Sequence, residues 1–207
     1  MGLAVGVGLF GDEKRDESRR GDLKAINEVL QDRGLPTHAG GPVVGTEASR
    51  ATVNSFPYSW LHYLRRFAAH VMRDPRWVPF PIQPGEDPAE DPVLRQLYAE
   101  MKSHLLCHSD REGYYLPQDF EELLVERAKL PGDVVGSSYQ LRRELIEISE
   151  VLEIRLDDDG ELSDEEAKRV GEQRPANYPF AIERLVWLSL FEASRLSVEQ
   201  DRLVVFQ

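Results

Sequence analysis

The sequence predicts an α+β fold: a mostly helical body closed by a small sheet that joins an N-terminal strand, a short central strand and a C-terminal strand. Three observations predict it. Leu3 to Phe10 alternates, with Leu3, Val5, Val7 and Leu9 on one side and Gly2, Ala4, Gly6 and Gly8 on the other. Gly113-Tyr-Tyr-Leu116 and Leu203 to Phe206 are two more short β-prone runs. Nearly everything between them has helical periodicity or turn chemistry. Isolated strands are not viable, so the three must pair, which brings both chain ends beside the central segment.

The small-residue side of the first strand predicts close packing by a helix. Glu13 to Arg33 carries six acids and six bases, and Leu23, Ile26, Val29 and Leu30 give it helical spacing before Gly34. Leu35 to Arg50 is rich in Gly, Pro and Thr and reads as loop. Phe56 to Arg73 is an amphipathic helix with Trp60, Leu61, Leu64, Phe67, Ala68 and Val71 in register. Pro75 to Pro92 holds six prolines (75, 79, 81, 84, 88 and 92) and is extended and irregular. Val93 to about Cys107 reads as helix. Beyond the central strand, Pro117 opens a helix over Asp119 to Ala128, and Pro131-Gly132 is a turn. Ser137 or Ser138 caps a helix to about Glu153. Asp157 to Gly160 is a turn, and Ser163-Asp-Glu-Glu166 is a capping box for a short helix. Tyr178 to Val198 is the most apolar helix and the centre of the predicted core.

The 207 residues fit one globular domain over 1–207, large enough to fold without disulfides or metal. One cysteine, Cys107, forms no internal disulfide and points to a reducing compartment. The first eleven residues lack a basic region, and the longest near-apolar run, Leu185 to Phe191, is far shorter than a membrane helix. A cytoplasmic protein with no membrane partner is expected. The net charge is −12, which repels phosphate backbones, so nucleic acid is not expected as a partner. Eleven of the acids and a single base, Arg155, fall between Glu144 and Glu166. That stretch is either a solvated face or a docking surface for a basic protein.

Several motifs touch on chemistry. Gly6-x-Gly8-x-x-Gly11 has dinucleotide-binding spacing, but its first two glycines lie inside the strand, and the segment after the first helix is a Gly/Pro loop. Asp157-Asp-Asp159-Gly160 with Glu166 resembles a calcium loop, yet Arg155 takes the first ligand position. His104-x-x-x-His108 places two imidazoles four apart, with Asp110 near, so zinc is the one metal to consider; otherwise no cofactor is expected. Both histidines have the alternative reading of hydrogen-bonded core residues. No nucleophile elbow occurs, and Cys107 reads as a packed thiol.

The densest polar-aromatic cluster is His108, Ser109, Asp110, Glu112, Tyr114, Tyr115 and Asp119. His108 with Asp110 or Glu112 could form an acid–base pair. The structural reading of the same residues is an Asx turn at Asp110, a strand whose tyrosines face opposite sides, and a helix-start charge at Asp119.

Through Gly2-Leu-Ala-Val-Gly-Val-Gly8 and His108-Ser-Asp-x-Glu-Gly-Tyr-Tyr-Leu-Pro-x-Asp-Phe120, the chain resembles a group of bacterial proteins with no assigned activity. The resemblance brings no catalytic residue; it adds weight to residues 108–120. The expectation is a non-enzymatic protein-binding module, of inhibitor, immunity or adaptor type, acting through Asp157, Asp158, Asp159 and Glu161. The alternative is a small-molecule or metal-dependent enzyme around residues 104–119. A third reading, an acidic nucleic-acid mimic, requires regularly spaced surface carboxylates.

Overall fold

The chain begins with β1 (Gly2–Val7), whose side chains alternate as their sequence does: Leu3, Val5 and Val7 are buried. A computed structural model describes residues 2–11, 13–83 and 85–207. Asp12 and Pro84, one of the six prolines, lie outside the described residues. The long helix α1 (Glu13–Asp32) follows and buries Leu23, Ile26, Val29 and Leu30, its predicted stripe. Then come β2 (Ser55–Pro57) and α2 (Tyr58–Arg73). The proline-rich stretch is irregular apart from one turn of 3₁₀ helix at Pro88–Glu90.

The helix expected over 93–107 is broken into α3 (Pro92–Glu100) and α4 (His104–Cys107). Asp91 caps α3 by accepting from the Val93 and Leu94 N–H groups, and Met101 ends it in the left-handed region at φ 52°. Ser103 then starts a new helix by accepting from Leu106 N–H, at 3.0 Å. After β3 (Gly113–Leu116) the helix expected over 119–128 does not form. Those residues are irregular except for the edge strand β4 (Leu124–Val125), which pairs with β5 (Val134–Ser137). Phe120, Leu123, Leu124 and Leu130 are all buried, so tertiary burial overrides the local helix preference. The remaining elements are α5 (Ser138–Ser149), α6 (Asp164–Gly171), α7 (Ala181–Gln200) and β6 (Val204–Phe206). Ser137 and Ser163 cap α5 and α6 as predicted.

The fold is α+β, with one six-stranded mixed sheet in the order β2-β1-β6-β3-β5-β4. The three strands predicted from sequence are the three neighbours at its centre. Both β1 and β3 run antiparallel to β6, with Val5 opposite Phe206 and Tyr115 opposite Val204. The chain ends therefore meet beside the central segment. The strands that sequence reading misses are β2, β4 and β5. Two of them are edges only two or three residues long, and β2 carries Pro57, which an edge tolerates.

Each face of the sheet is covered by helices. Val5, Val7, Tyr115, Val204 and Phe206 pack in the larger core with α2, α5 and α7 residues such as Phe67, Leu145 and Trp187. Tyr114, Leu116, Val135 and Val205 face α1 and join its stripe in the second core. The predicted opposition of Tyr114 and Tyr115 thus divides the two cores.

The Gly6-x-Gly8-x-x-Gly11 spacing serves the chain itself. Gly8 has φ 90°, and a Cβ there would lie 2.1 Å from the Pro42 carbonyl oxygen. The 41–44 segment crosses at this point, with Val44 N–H donating to Val7 O at 2.8 Å. The glycine admits a crossing loop where a nucleotide site would need open space.

Candidate functional site

Two regions carry the candidate residues: the segment around α4 and β3, and the acidic stretch from α5 to α6. In the first, burial dominates. His104 Nδ1 accepts from Ser137 N–H at 2.9 Å, which leaves Nε2 as the donor to Glu121 O at 3.0 Å. Burial pushes this imidazole below its ordinary value, so the neutral tautomer is held by backbone on both sides. His108 lies deeper. Its ring stacks on Tyr115 at 4.1 Å, with Nδ1 facing Ser109 O at 3.0 Å and Nε2 facing Tyr114 O at 3.1 Å. Two carbonyls favour the imidazolium, but burial prevails and holds the group at about 4. Gly113 permits this packing: it has φ 136°, and a Cβ would lie 2.8 Å from His108 Cε1.

The tyrosines are anchored as well. Tyr115 OH donates to His104 O at 3.0 Å, and Tyr114 OH donates to Asp22 Oδ2 of α1 at 2.6 Å. Burial raises both phenols above their ordinary value. Asp119 does not begin a helix. It takes a two-pronged contact from Arg143 of α5 at 2.8 and 2.7 Å. That contact holds its carboxylate below the usual range.

The segment therefore does not assemble as an acid–base site. The expected pairing of His108 with Asp110 or Glu112 is replaced: the His108 ring points inward to carbonyls, and Asp110 pairs with His62 of α2 at 3.1 Å. Glu112 is exposed, and the Ser109 hydroxyl accepts from Arg111 N–H within its own turn. Nor are His104, His108 and Asp110 a ligand set. Among the described residues no group of three or more His, Cys, Asp or Glu side chains converges as a metal site. The i,i+4 spacing misleads because α4 ends at Cys107, so the two imidazoles do not share a helical face.

The acidic stretch divides into two kinds of carboxylate. One kind is consumed by the fold. Glu144 accepts from Ser103 Oγ at 2.8 Å, His104 N–H at 2.8 Å and Leu105 N–H at 2.7 Å, and so holds the start of α4. Burial outweighs these bonds and pushes it up to about 7. Glu166 is buried between Arg169 and Arg155, whose guanidiniums hold it at about 2. Glu153 pairs with Arg184, Glu161 with Arg142, and Asp164 with Arg50, all three from exposed positions. Asp157 belongs to both kinds: it folds the turn by accepting from Asp159 N–H at 3.0 Å and Glu161 N–H at 2.8 Å, yet stays exposed. The calcium-like pattern is thus a turn followed by a capped helix whose Glu166 is an arginine partner.

The other kind faces solvent. Glu147, Glu150, Asp157, Asp158, Asp159 and Glu165 are exposed, and no cation pairs with them among the described residues. Glu147 and Glu150 stand three residues apart on the outer face of α5 and its end, about 4.5 Å of rise. Asp157 to Asp159 crown the next turn, and Glu165 opens α6. Of the four acids singled out from sequence, Asp157, Asp158 and Asp159 belong to this displayed set, while Glu161 is held by Arg142. Sequence reading missed Glu147, Glu150 and Glu165, because composition does not separate a displayed acid from a consumed one.

Over residues 1–206 the sequence matches the family described as "Putative DNA-mimic protein". The chain belongs to this family. No curated protein and no solved structure matches it. Membership in a DNA-mimic family corrects the expectation that nucleic acid has no part in the partner chemistry. Net charge of −12 does repel DNA. The family description, however, brings nucleic acid in as the thing imitated rather than as a ligand. The expectation of a protein partner with a basic surface is compatible with that role. No helix among the described residues is long and apolar enough to cross a membrane.

Proposed function

We propose that this chain is a non-catalytic DNA mimic that occupies the phosphate-contacting face of a DNA-binding protein. The observation that carries the reading is the displayed set Glu147, Glu150, Asp157, Asp158, Asp159 and Glu165, exposed between α5 and the start of α6 and without cationic partners among the described residues. A DNA strand presents one charge per about 3.4 Å along its axis, and a partner built for phosphates carries Lys and Arg at matching intervals. Two acids three residues apart on a helix are offset by about 4.5 Å of axial rise, which is of that order. The affinity of such a complex is electrostatic in the main, fast to form and steeply weakened by salt. This gives the inhibitor or adaptor type of module a specific target class, proteins that bind DNA, in the cytoplasm.

The test immobilises the full chain, exposes it to lysate at low salt, and elutes with short duplex DNA. DNA should release proteins that bind DNA in their own right. Capture of those proteins should fall about tenfold or more when the six displayed acids are changed to Gln or Asn, at roughly 1 kcal/mol or less for each exposed charge. Retention of the captured proteins against excess duplex, or unchanged capture by the neutralised variant, would refute the reading.

A further inference from the structure

On the side of the molecule formed by α2, α3 and α4, a hollow of about 590 Å³ opens beside the Ser109–Asp110 turn. That volume lies within the range of small-molecule sites, about 300–1,000 Å³. Its apolar lining includes Leu94, Leu106 and Val134, all buried. At its mouth stand Tyr98 and Met101, which are 48% and 37% exposed and are two of the few large apolar side chains that face solvent.

The polar lining is cationic, which is unexpected in a chain of charge −12. Arg65 is only 3% exposed, yet among the described residues it has no carboxylate partner. Its Nε donates to Leu105 O at 2.9 Å and its Nη2 to His108 O at 2.5 Å. A buried guanidinium whose hydrogen bonds all go to carbonyls has no direct carboxylate contact, and Asp110 acts on it only through space. Arg127 also lines the hollow and has no ion-pair partner among the described residues. Arg95 lines it too and reaches Glu90. The two carboxylates in the lining are already engaged, Asp110 by His62 and Asp133 by the Ala128 N–H at 2.9 Å.

We propose that this hollow binds a small amphipathic anion: a single carboxylate or sulfonate head directed to Arg65 and Arg127, on an apolar body seated over Leu94, Leu106 and Val134 beneath Tyr98 and Met101. The chemistry follows from the lining. A neutral apolar ligand would leave Arg65 and Arg127 without a direct anionic contact, and a multiply charged anion would leave the apolar floor uncovered. The site is remote in character from the acidic display, and the proposal stands independently of DNA mimicry.

The test uses 8-anilinonaphthalene-1-sulfonate as the probe on the full chain. Fluorescence should rise saturably with one site per chain, and decanoate should displace the dye where decanol does not. Arg127→Ala should weaken dye binding about tenfold, the loss of one charge-assisted hydrogen bond. Lys24→Ala, which removes an exposed cation from α1, should leave it unchanged. Met101→Glu, which sets a carboxylate in the mouth at an exposed position, should abolish it. Non-saturable fluorescence, equal displacement by decanol, or full binding by the Arg127→Ala or Met101→Glu variant would each overturn the proposal.

Discussion

Replacing Glu192 by glutamine should unfold this protein far more readily than neutralising the whole displayed acid set. Glu192 lies in the middle of α7 with a side chain that is 0% exposed. Its carboxylate accepts from Arg50 N–H at 2.9 Å, Arg50 Nε at 3.0 Å and Arg50 Nη2 at 2.5 Å. It also accepts from Arg195 Nε at 3.1 Å and Nη2 at 2.8 Å. Arg50 goes on to donate to Leu162 O at 2.5 Å, so this one carboxylate ties the 46–50 loop to α7 and to the α6 cap. Burial alone would raise its pKa; the Arg195 and Arg50 hydrogen bonds reverse that and hold it at about 2. A fall from the ordinary 4.5 to about 2 corresponds to roughly 3 kcal/mol. Glutamine keeps one acceptor and turns an NH₂ toward two guanidiniums, and breaking a buried pair costs about 3–5 kcal/mol. For a chain of this length that lowers the melting temperature by roughly 6–20 °C. The contribution is present above about pH 4.5 and is lost as pH falls through about 2. Circular dichroism melts at neutral pH measure it. A Glu192→Gln variant melting within about 2 °C of the parent would refute the division of the acids into consumed and displayed, as would a collapse on neutralising Glu147, Glu150 and Asp158, where changes of about 0.5 kcal/mol each are expected.

Two further outcomes follow from the α4–β5 region. Glu144, pushed up to about 7 from 4.5, holds its proton in the fold after the unfolded chain has released it. Stability should therefore fall as pH rises from about 4.5 to about 7, and Glu144→Gln should flatten that slope in urea titrations across the range; an unchanged slope would show that another group is responsible. At Gly136, a Cβ would lie 2.4 Å from Cδ1 of the fully buried Tyr115 ring. Gly136→Ala should cost about 1–3 kcal/mol in equilibrium unfolding, and a neutral result would mean that the ring has room to move.

The centre of the fold was legible in the sequence because its signals are local. The β1 alternation, the Tyr114–Tyr115 switch and the final Val-Val-Phe each fix which side chain faces which core, and pairing follows from their number. The edges were not legible. Residues 119–128 have the composition of a helix, and the burial of Leu123 and Leu124 with the pairing of Leu124 and Val125 to Val135 and Val134 of β5 decides otherwise. The break at Met101 depends on a cap, Ser103, that looks like any other serine in a helical run. The site was legible as a density of acids between 144 and 166 but not as an arrangement. Whether Glu166 faces Arg169 or solvent depends on the path of the chain after Gly160. The one signal left unread was Arg65-Arg66 on the apolar stripe of α2, where a cation facing inward implies a buried role.

The consumed acids matter to the displayed ones. A mimic of a stiff phosphate lattice gains little from carboxylates on a loose loop, because each mobile side chain ordered on docking costs about 0.5–1.5 kcal/mol. Here the corner bearing Glu150, Asp158, Asp159 and Glu165 is pinned on every side. Arg184 holds Glu153 before the turn, Arg142 holds Glu161 after it, and Arg155 and Arg169 close on Glu166 at the start of α6. Asp157 braces the turn from within, and Leu156 bridges to Leu162 across its base. The arginines in this acidic region thus take up Glu153, Glu161 and Glu166 and brace the backbone that carries the displayed acids, which have no cationic partner among the described residues. Loosening that frame should weaken partner binding without removing one displayed charge. Arg142→Ala, which frees Glu161 and adds net negative charge, therefore sets rigidity against charge. Charge alone would make capture by this variant stronger; the expected result is weaker capture, and stronger capture would refute the role of the frame.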